Sequence, residues 1–190
     1  MSRRQVIGFV VVFALIGVGL LTKHVTSGSP SSQLHELRRA AALEACPPGL
    51  GPQLPGVSLP CLGGGPAVAL RAAPPGRPTL VNIWGSWCRP CVAEVPDLVS
   101  FGSKAGSRVG VVGIDTEDDP GLALKFAAQY GMHYPSLVDD DKHVLRQFGG
   151  GPPVTLFVDS AGHVTYVQHG QFHSVAEIER LVAEHLGVKL

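Results

Sequence analysis

The chain has 190 residues, of which 45% are hydrophobic and 16% are charged, a composition typical of one folded globular domain with an appendage. Lysine and arginine together number 15, as do aspartate and glutamate, so the formal net charge is zero with histidine neutral. This balance excludes the strongly basic surface that nucleic-acid binding requires, and we expect no nucleic-acid partner.

Residues 6–21 form an uninterrupted apolar run without a charged side chain. Arg3 and Arg4 precede the run, which favours an N-terminus in the cytoplasm and places the rest of the chain outside it. No clear Ala-x-Ala cleavage site follows, so we expect residues 1–22 to be a cytoplasmic N-terminus and a retained single-pass anchor in the cell membrane. A cleaved signal peptide is the alternative, and it also places the domain outside the cytoplasm.

The next residues join this anchor to the folded domain. We expect residues 23–45 to form a linker, rich in Gly, Ser and Pro at residues 28–32, and a short helix over residues 33–45. Residues 46–78 contain many Pro and Gly residues between short apolar pieces, which predicts an irregular hairpin at the start of a domain spanning residues 46–190.

Beyond residue 78 the apolar pattern becomes regular. Strands are predicted at residues 80–84, 108–115, 136–138, 154–159 and 163–168, the last two as a hairpin. Helices are predicted at residues 88–101, 121–130, 144–148 and 174–186, and in the second of these Leu122, Leu124, Phe126 and Ala127 are expected to face inward. This order predicts an α/β fold with a mixed central sheet and helices on both faces.

Cys88 and Cys91 lie where the strand at residues 80–84 passes into a helix. Unpaired amide groups at a helix N-terminus favour a thiolate, and Arg89 adds positive charge, so Cys88 is the candidate nucleophile for thiol–disulfide exchange. Cys91, one turn later, is expected to resolve the mixed disulfide. A static disulfide and a zinc site are the alternatives, whereas Val92 after the second cysteine, in place of His, excludes haem attachment. We expect no metal, and no cofactor beyond the disulfide of this pair.

The other two cysteines, Cys46 and Cys61, flank the Pro- and Gly-rich segment. All four cysteines follow the apolar run, and an even number in an oxidising compartment favours disulfides. We therefore predict that Cys46 and Cys61 form a structural disulfide that staples this segment. A redox relay with Cys88 and Cys91, or a pair of free thiols, is the alternative.

The motif at residues 84–91 reads Trp-Gly-Ser-Trp-Cys-Arg-Pro-Cys, and residues 151–159 read Gly-Pro-Pro-Val-Thr-Leu-Phe-Val-Asp. With these motifs, the chain from about residue 57 to residue 190 resembles the thioredoxin superfamily, specifically its membrane-tethered TlpA/ResA-like branch, which includes the CcmG-type proteins of cytochrome c maturation. Residues 114–135 are similar to the insertion that separates this branch from plain thioredoxin. The resemblance implies a thioredoxin-like fold and a thiol–disulfide oxidoreductase.

The resemblance also implies how a substrate is bound. Pro153 matches the cis-proline that packs beside the active-site sulfurs, where the preceding backbone pairs with an incoming peptide as an added strand. Pro152 is a departure from the family pattern because it removes an N–H donor at this docking edge. Trp87 is expected to flank the site and shield the sulfur of Cys88. An ordinary Pro-Pro turn is the alternative for the proline pair.

Glu94 lies three residues after Cys91, so it can face the dithiol from the same helix. A glutamate at this position is associated in the branch with proton handling for the buried cysteine, whereas plain thioredoxin has a buried Asp at the position of Asn82. We predict that Glu94 accepts the proton of Cys91 with a pKa raised by partial burial. A solvated carboxylate on the helix surface is the alternative.

These observations predict a monomeric, membrane-anchored oxidoreductase that exchanges disulfides with protein substrates outside the cytoplasm. Its electron donor or acceptor is expected to be a membrane thiol–disulfide protein. Pro90 resembles the reducing thioredoxins and favours a reductase, which we expect to keep apocytochrome cysteines reduced. The charge of Arg89 acts in the opposite direction. An oxidase for exported proteins is the runner-up, followed by a redox-inactive binding module. A thiol peroxidase is a further option without a visible peroxidatic motif.

Overall fold

The computed structural model describes residues 29–190. The apolar run expected to anchor the chain, at residues 6–21, and the first part of the linker lie outside the described residues. None of the helices within residues 29–190 has the length and apolar character needed to span a bilayer.

Helices and strands alternate along most of the described chain. In chain order they are α1 (Pro30–Ala41), β1 (Ser58–Leu59), β2 (Val68–Ala69), β3 (Thr79–Trp84), α2 (Arg89–Ala105), β4 (Gly110–Thr116), α3 (Pro120–Tyr130), β5 (Ser136–Asp139), α4 (His143–Phe148), β6 (Val154–Val158), β7 (Val164–His169) and α5 (Val175–Leu186).

Five strands form one mixed sheet in the order β5-β4-β3-β6-β7. Strands β3, β4 and β5 are parallel to one another, while β6 runs antiparallel to both β3 and β7. The mixed central sheet predicted from the order of elements is therefore confirmed. The central position of β3 explains why all six of its residues are buried.

The sheet separates two apolar cores, because successive side chains of a strand point to opposite faces. Leu80 and Trp84 of β3 contribute to one core together with the inner faces of α2, α3 and α5. Val81 and Ile83 contribute to the other core, which α4 and the hairpin of β1 and β2 cover. Helices thus lie on both faces, and the described fold is an α/β layer structure.

The segment before β3 protects an edge of the sheet. Cys61 forms an isolated bridge with Leu137 of β5, and the Leu62 N–H donates to the Ser136 carbonyl at 2.8 Å. The Val138 N–H in turn donates to the Pro60 carbonyl at 2.9 Å. These bonds satisfy backbone groups that an edge strand would otherwise expose, and they give the predicted irregular hairpin region a fixed position.

Two expectations at helix level are wrong. Helix α1 covers Pro30–Ala41 rather than residues 33–45, because Ser29 caps its start and Ala42 adopts the left-handed conformation that ends it. Leu122 was expected to face inward but is 53% exposed. It lies two residues before the buried Leu124, which is about 200° away around the helix axis.

Candidate active site

The dithiol lies at the end of the central strand. Strand β3 ends at Trp84, a short loop follows, and Cys88 is the N-cap residue of α2. Cys88 is disulfide-bonded to Cys91, with their Cα atoms 5.2 Å apart. The Cys91 N–H donates to the Cys88 sulfur at 3.2 Å. Because an amide donor and the positive end of the helix dipole both point at this sulfur, a Cys88 thiolate is stabilised here once the disulfide is reduced.

The proline pair lies beside this sulfur. The Pro152–Pro153 peptide bond is cis, and the Pro152 carbonyl oxygen is 3.3 Å from the Cys88 sulfur. Pro153 immediately precedes β6, and β6 pairs with β3, so the order of strands brings residues separated by more than sixty positions together. Pro152 is half-buried and Pro153 is buried.

Trp87 marks the exposed side of the site. Its side chain is 51% exposed, whereas Cys88 is only 3% exposed and Cys91 is fully buried. The indole N–H of Trp87 donates to the Thr116 carbonyl at 3.2 Å, which holds the ring against the loop that follows β4. A large apolar ring beside a nearly buried sulfur is suited to contact a protein substrate.

Glu94 is fully buried, so the solvated-carboxylate alternative is wrong. One carboxylate oxygen accepts from the Asn82 amide at 2.8 Å and the other from the Phe172 N–H at 3.0 Å. Burial is the largest influence on the pKa of Glu94 and raises it to about 7, with a smaller rise from Asp97. The hydrogen bonds from Phe172 and Asn82 act in the opposite direction, because they stabilise the charged form.

Asn82 connects Glu94 to the sheet. Its amide nitrogen donates both to Glu94 and to the Thr155 hydroxyl of β6, the latter at 2.9 Å. All three side chains are fully buried. This bridge fixes α2, one turn after Cys91, against the neighbouring strands β3 and β6. From the sequence, Asn82 was notable only as the position where plain thioredoxin has a buried Asp. The strand positions of Asn82 and Thr155 were the available signal for their pairing.

The second disulfide joins Cys46 to Cys61, with Cα atoms 6.1 Å apart. Both cysteines pack in the core under the β1–β2 hairpin, while Cys88 and Cys91 belong to the core under α2. The central sheet therefore separates the two disulfides. This separation favours a structural disulfide over a redox relay, because a direct exchange between the two pairs would require their sulfurs to come into contact.

The structure also places a loop that the sequence analysis did not single out. Asp118, between β4 and α3, accepts hydrogen bonds from the N–H and hydroxyl of Ser86 at 2.5 and 3.0 Å. An available signal was the position of this loop at the carboxyl end of β4, a strand parallel to β3. Within residues 29–190, no group of three or more His, Cys, Asp or Glu residues is arranged to hold a metal ion.

Comparisons with known proteins agree with this geometry. A family model described as Redoxin matches residues 50–182. The chain is 30% identical over 138 residues to the thiol:disulfide interchange protein DsbE of Pseudomonas fluorescens biotype C, which is 72% of this chain and 75% of that protein. It is 33% identical over 100 residues to the thiol-disulfide oxidoreductase ResA of Geobacillus thermodenitrificans, which is 50% of this chain and 56% of that protein.

The ResA relatives are matched over only part of their length. For the Geobacillus and Bacillus proteins, the alignment spans between 53% and 61% of the relative. The homologue of DsbE in Paracoccus denitrificans is 36% identical over 93 residues, or 50% of its length.

Solved structures show the same fold over the described domain. A secreted Mycobacterium tuberculosis disulfide oxidoreductase homologous to E. coli DsbE superposes with a TM-score of 0.58 and 25% identity, covering 68% of this chain and 96% of that chain. The structure of MTB dsbF gives a TM-score of 0.60 and 26% identity, covering 70% and 98%. The fold is therefore thioredoxin-like, and the chain belongs to the Redoxin family, within the ResA/CcmG-like part of the thioredoxin superfamily.

Proposed function

We propose that this protein is a thiol–disulfide oxidoreductase that exchanges its Cys88–Cys91 pair with cysteines of protein substrates. The observation that carries the proposal is the Cys88 sulfur at the start of α2, which receives the Cys91 N–H and lies 3.3 Å from the Pro152 carbonyl. The exposed Trp87 beside it supplies apolar contact area for a protein substrate. The names of the ResA and DsbE relatives support the same activity.

In the reducing direction, the first step belongs to Cys88. Its thiolate attacks one sulfur of the substrate disulfide, so a bond forms between Cys88 and the substrate while the substrate S–S bond breaks. The second substrate sulfur leaves as a thiolate and takes a proton from water. The amide and helix dipole at Cys88 favour this step because they stabilise negative charge on its sulfur.

The second step belongs to Cys91 and Glu94. Cys91 is fully buried, and burial in apolar surroundings disfavours a thiolate, so its proton needs an acceptor. Glu94 follows one turn later on the same buried face of α2, and its pKa of about 7 lets it accept and return a proton at neutral pH. The Cys91 thiolate then attacks the Cys88 sulfur, which closes their disulfide and releases the substrate as a dithiol carrying two electrons.

We further propose that the protein works as a reductase outside the cytoplasm, held in the cell membrane by residues 6–21. Pro90 between the cysteines supports the reducing direction, and the apolar run with its preceding arginines supports the anchor. A membrane thiol–disulfide protein would supply the electrons, and apocytochrome cysteines awaiting haem are the proposed substrate. The opposite direction, oxidation of exported proteins, is the second candidate, because Arg89 stabilises the reduced Cys88 thiolate.

Redox equilibration of the full chain with glutathione, in detergent, tests both proposals. We expect the Cys88–Cys91 pair to equilibrate near the potential of thioredoxin, about −270 mV, and a value more than about 100 mV higher would instead identify an oxidase. Cys88→Ala is expected to abolish insulin reduction, whereas Cys46→Ala/Cys61→Ala retains it. Retained reduction by Cys88→Ala would contradict the proposed activity itself.

A further inference from the structure

Three hydrogen bonds join the active-site loop to the loop after β4, and together we name them the clasp. The Ser86 N–H and hydroxyl donate to the Asp118 carboxylate, and the Trp87 indole N–H donates to the Thr116 carbonyl. Asp118 is itself held, because the Asp119 N–H donates to it at 2.9 Å. Ser86 and Trp87 directly precede Cys88, so the clasp fixes the backbone immediately before the nucleophile.

Asp115 lies at the base of the clasp. It pairs with Trp84 in the register of β3 and β4, and Thr116 follows it directly. Its side chain is 1% exposed, and no N–H or hydroxyl group of the described residues donates to either carboxyl oxygen. A buried carboxylate without donors is strongly unfavourable, so this position favours the neutral acid.

The groups that act on Asp115 are acidic. Burial raises its pKa most, and the charge and hydrogen bonding of Asp118 follow, with smaller contributions from Asp140 and Asp119; together they bring the pKa to about 8. Lys142, a basic residue near this edge of the sheet, forms an ion pair with Glu117 at 2.7 Å and does not contribute to the shift. The residue of β3 that pairs with Asp115 is Trp84, whose side chain does not titrate.

We propose that Asp115 is a positioning residue for Cys88, which acts through Asp118 and the clasp. As a neutral acid, Asp115 leaves the Asp118 carboxylate free to hold Ser86, while Trp87 stays bonded to the Thr116 carbonyl. Its ionisation would place a second negative charge against Asp118, loosen the clasp and disfavour a thiolate at Cys88. The inference deepens the proposed thiol–disulfide exchange and rests on it, since its effect is on the stability of the reduced Cys88.

The test is the equilibrium between the full chain and glutathione, measured from pH 6 to pH 9 for wild type and variants. Asp115→Asn keeps a neutral, hydrogen-bonding side chain of the same shape at every pH. Above pH 8 we expect its equilibrium constant for reduction to exceed that of wild type by about threefold, and near pH 6 we expect the two to converge. The ratio of the two equilibrium constants, in which the titration of glutathione cancels, should therefore show a break near pH 8.

Two further variants distinguish the positioning role of Asp115 from the effect of removing any negative charge near this edge of the sheet. Asp118→Asn removes the strongest charge that acts on Asp115, so the break should move to lower pH rather than disappear. Asp141→Asn removes an exposed charge near the same edge and should leave the break in place. A ratio between Asp115→Asn and wild type that stays constant from pH 6 to pH 9 would overturn the inference. A wild-type protein that does not equilibrate with glutathione would instead overturn the proposed function.

Discussion

Glu94 is the single residue whose protonation most directly affects the resolving step. It is fully buried, accepts two hydrogen bonds and has a pKa of about 7, so both charge states are populated at neutral pH. A carboxyl group with this pKa can both accept and return a proton near neutral pH, which suits it to receive the proton of Cys91.

Glu94→Gln should therefore slow disulfide closure at pH 7 by about tenfold or more, because glutamine accepts the Phe172 N–H but cannot take a proton. Stopped-flow measurement of mixed-disulfide decay should also lose its inflection near pH 7. As a matched variant, Asp97→Asn removes a charge that raises the pKa of Glu94 and should move the inflection to lower pH. An unchanged pH profile for Glu94→Gln would remove its proposed role.

For single residues, the position of a side chain can be predicted from the sequence when its neighbours along the chain determine that position. Glu94 follows Cys91 by three positions in a helix, so their common face was predictable. Its bond to Phe172 was not, because that N–H comes from a segment 78 positions later whose path depends on the packing of α5. The same limit applies to Asp118, which reaches Ser86 across 32 positions.

At the scale of elements, the segment before β3 depends on the Cys46–Cys61 disulfide. The hairpin strands β1 and β2 have only two residues each, so this segment contains little regular secondary structure. A cross-link over 15 positions limits the freedom of this segment in the unfolded chain.

We expect Cys46→Ala/Cys61→Ala to lose about 3 kcal/mol in the free energy of unfolding on the chain-entropy estimate, while insulin reduction stays near wild type. Chemical unfolding with and without reductant measures the loss. Cys88→Ala/Cys91→Ala, which opens a much shorter loop, serves as the comparison and should lose activity with a smaller change in stability. A loss of insulin reduction in the Cys46→Ala/Cys61→Ala variant would support the relay.

The type of most elements was predictable, but their ends were less so. The buried runs of β3 and β4 contain β-branched and apolar residues that favour a central parallel sheet. Helix ends depend on caps: Ser29 caps the start of α1 five positions before Leu34, the first apolar residue of its periodic pattern. Leu122 was placed inward by its apolar character, although the helical period puts it on the exposed side.

For the whole molecule, two buried acids make stability depend on pH. The pKa of Glu94 is raised from 4.5 to about 7, and that of Asp115 from 3.8 to about 8. Between the ordinary and raised values, the folded state binds more protons than the unfolded state. The free energy of unfolding therefore falls as pH rises through this range, and the stabilisation present below pH 4 is lost by about pH 8.

The variant Glu94→Gln/Asp115→Asn should flatten this dependence, because neither amide titrates. The shift at Glu94 alone corresponds to about 3 kcal/mol, so we expect wild type to lose at least that much between pH 4 and pH 8.5, and the double variant to lose clearly less. Urea unfolding at fixed pH values measures both curves. Asp141→Asn, which changes an exposed acid, should follow wild type. Parallel curves for wild type and double variant would show that these two carboxyl groups are ionised in the folded protein at neutral pH. That result would contradict the raised pKa values that follow from their burial.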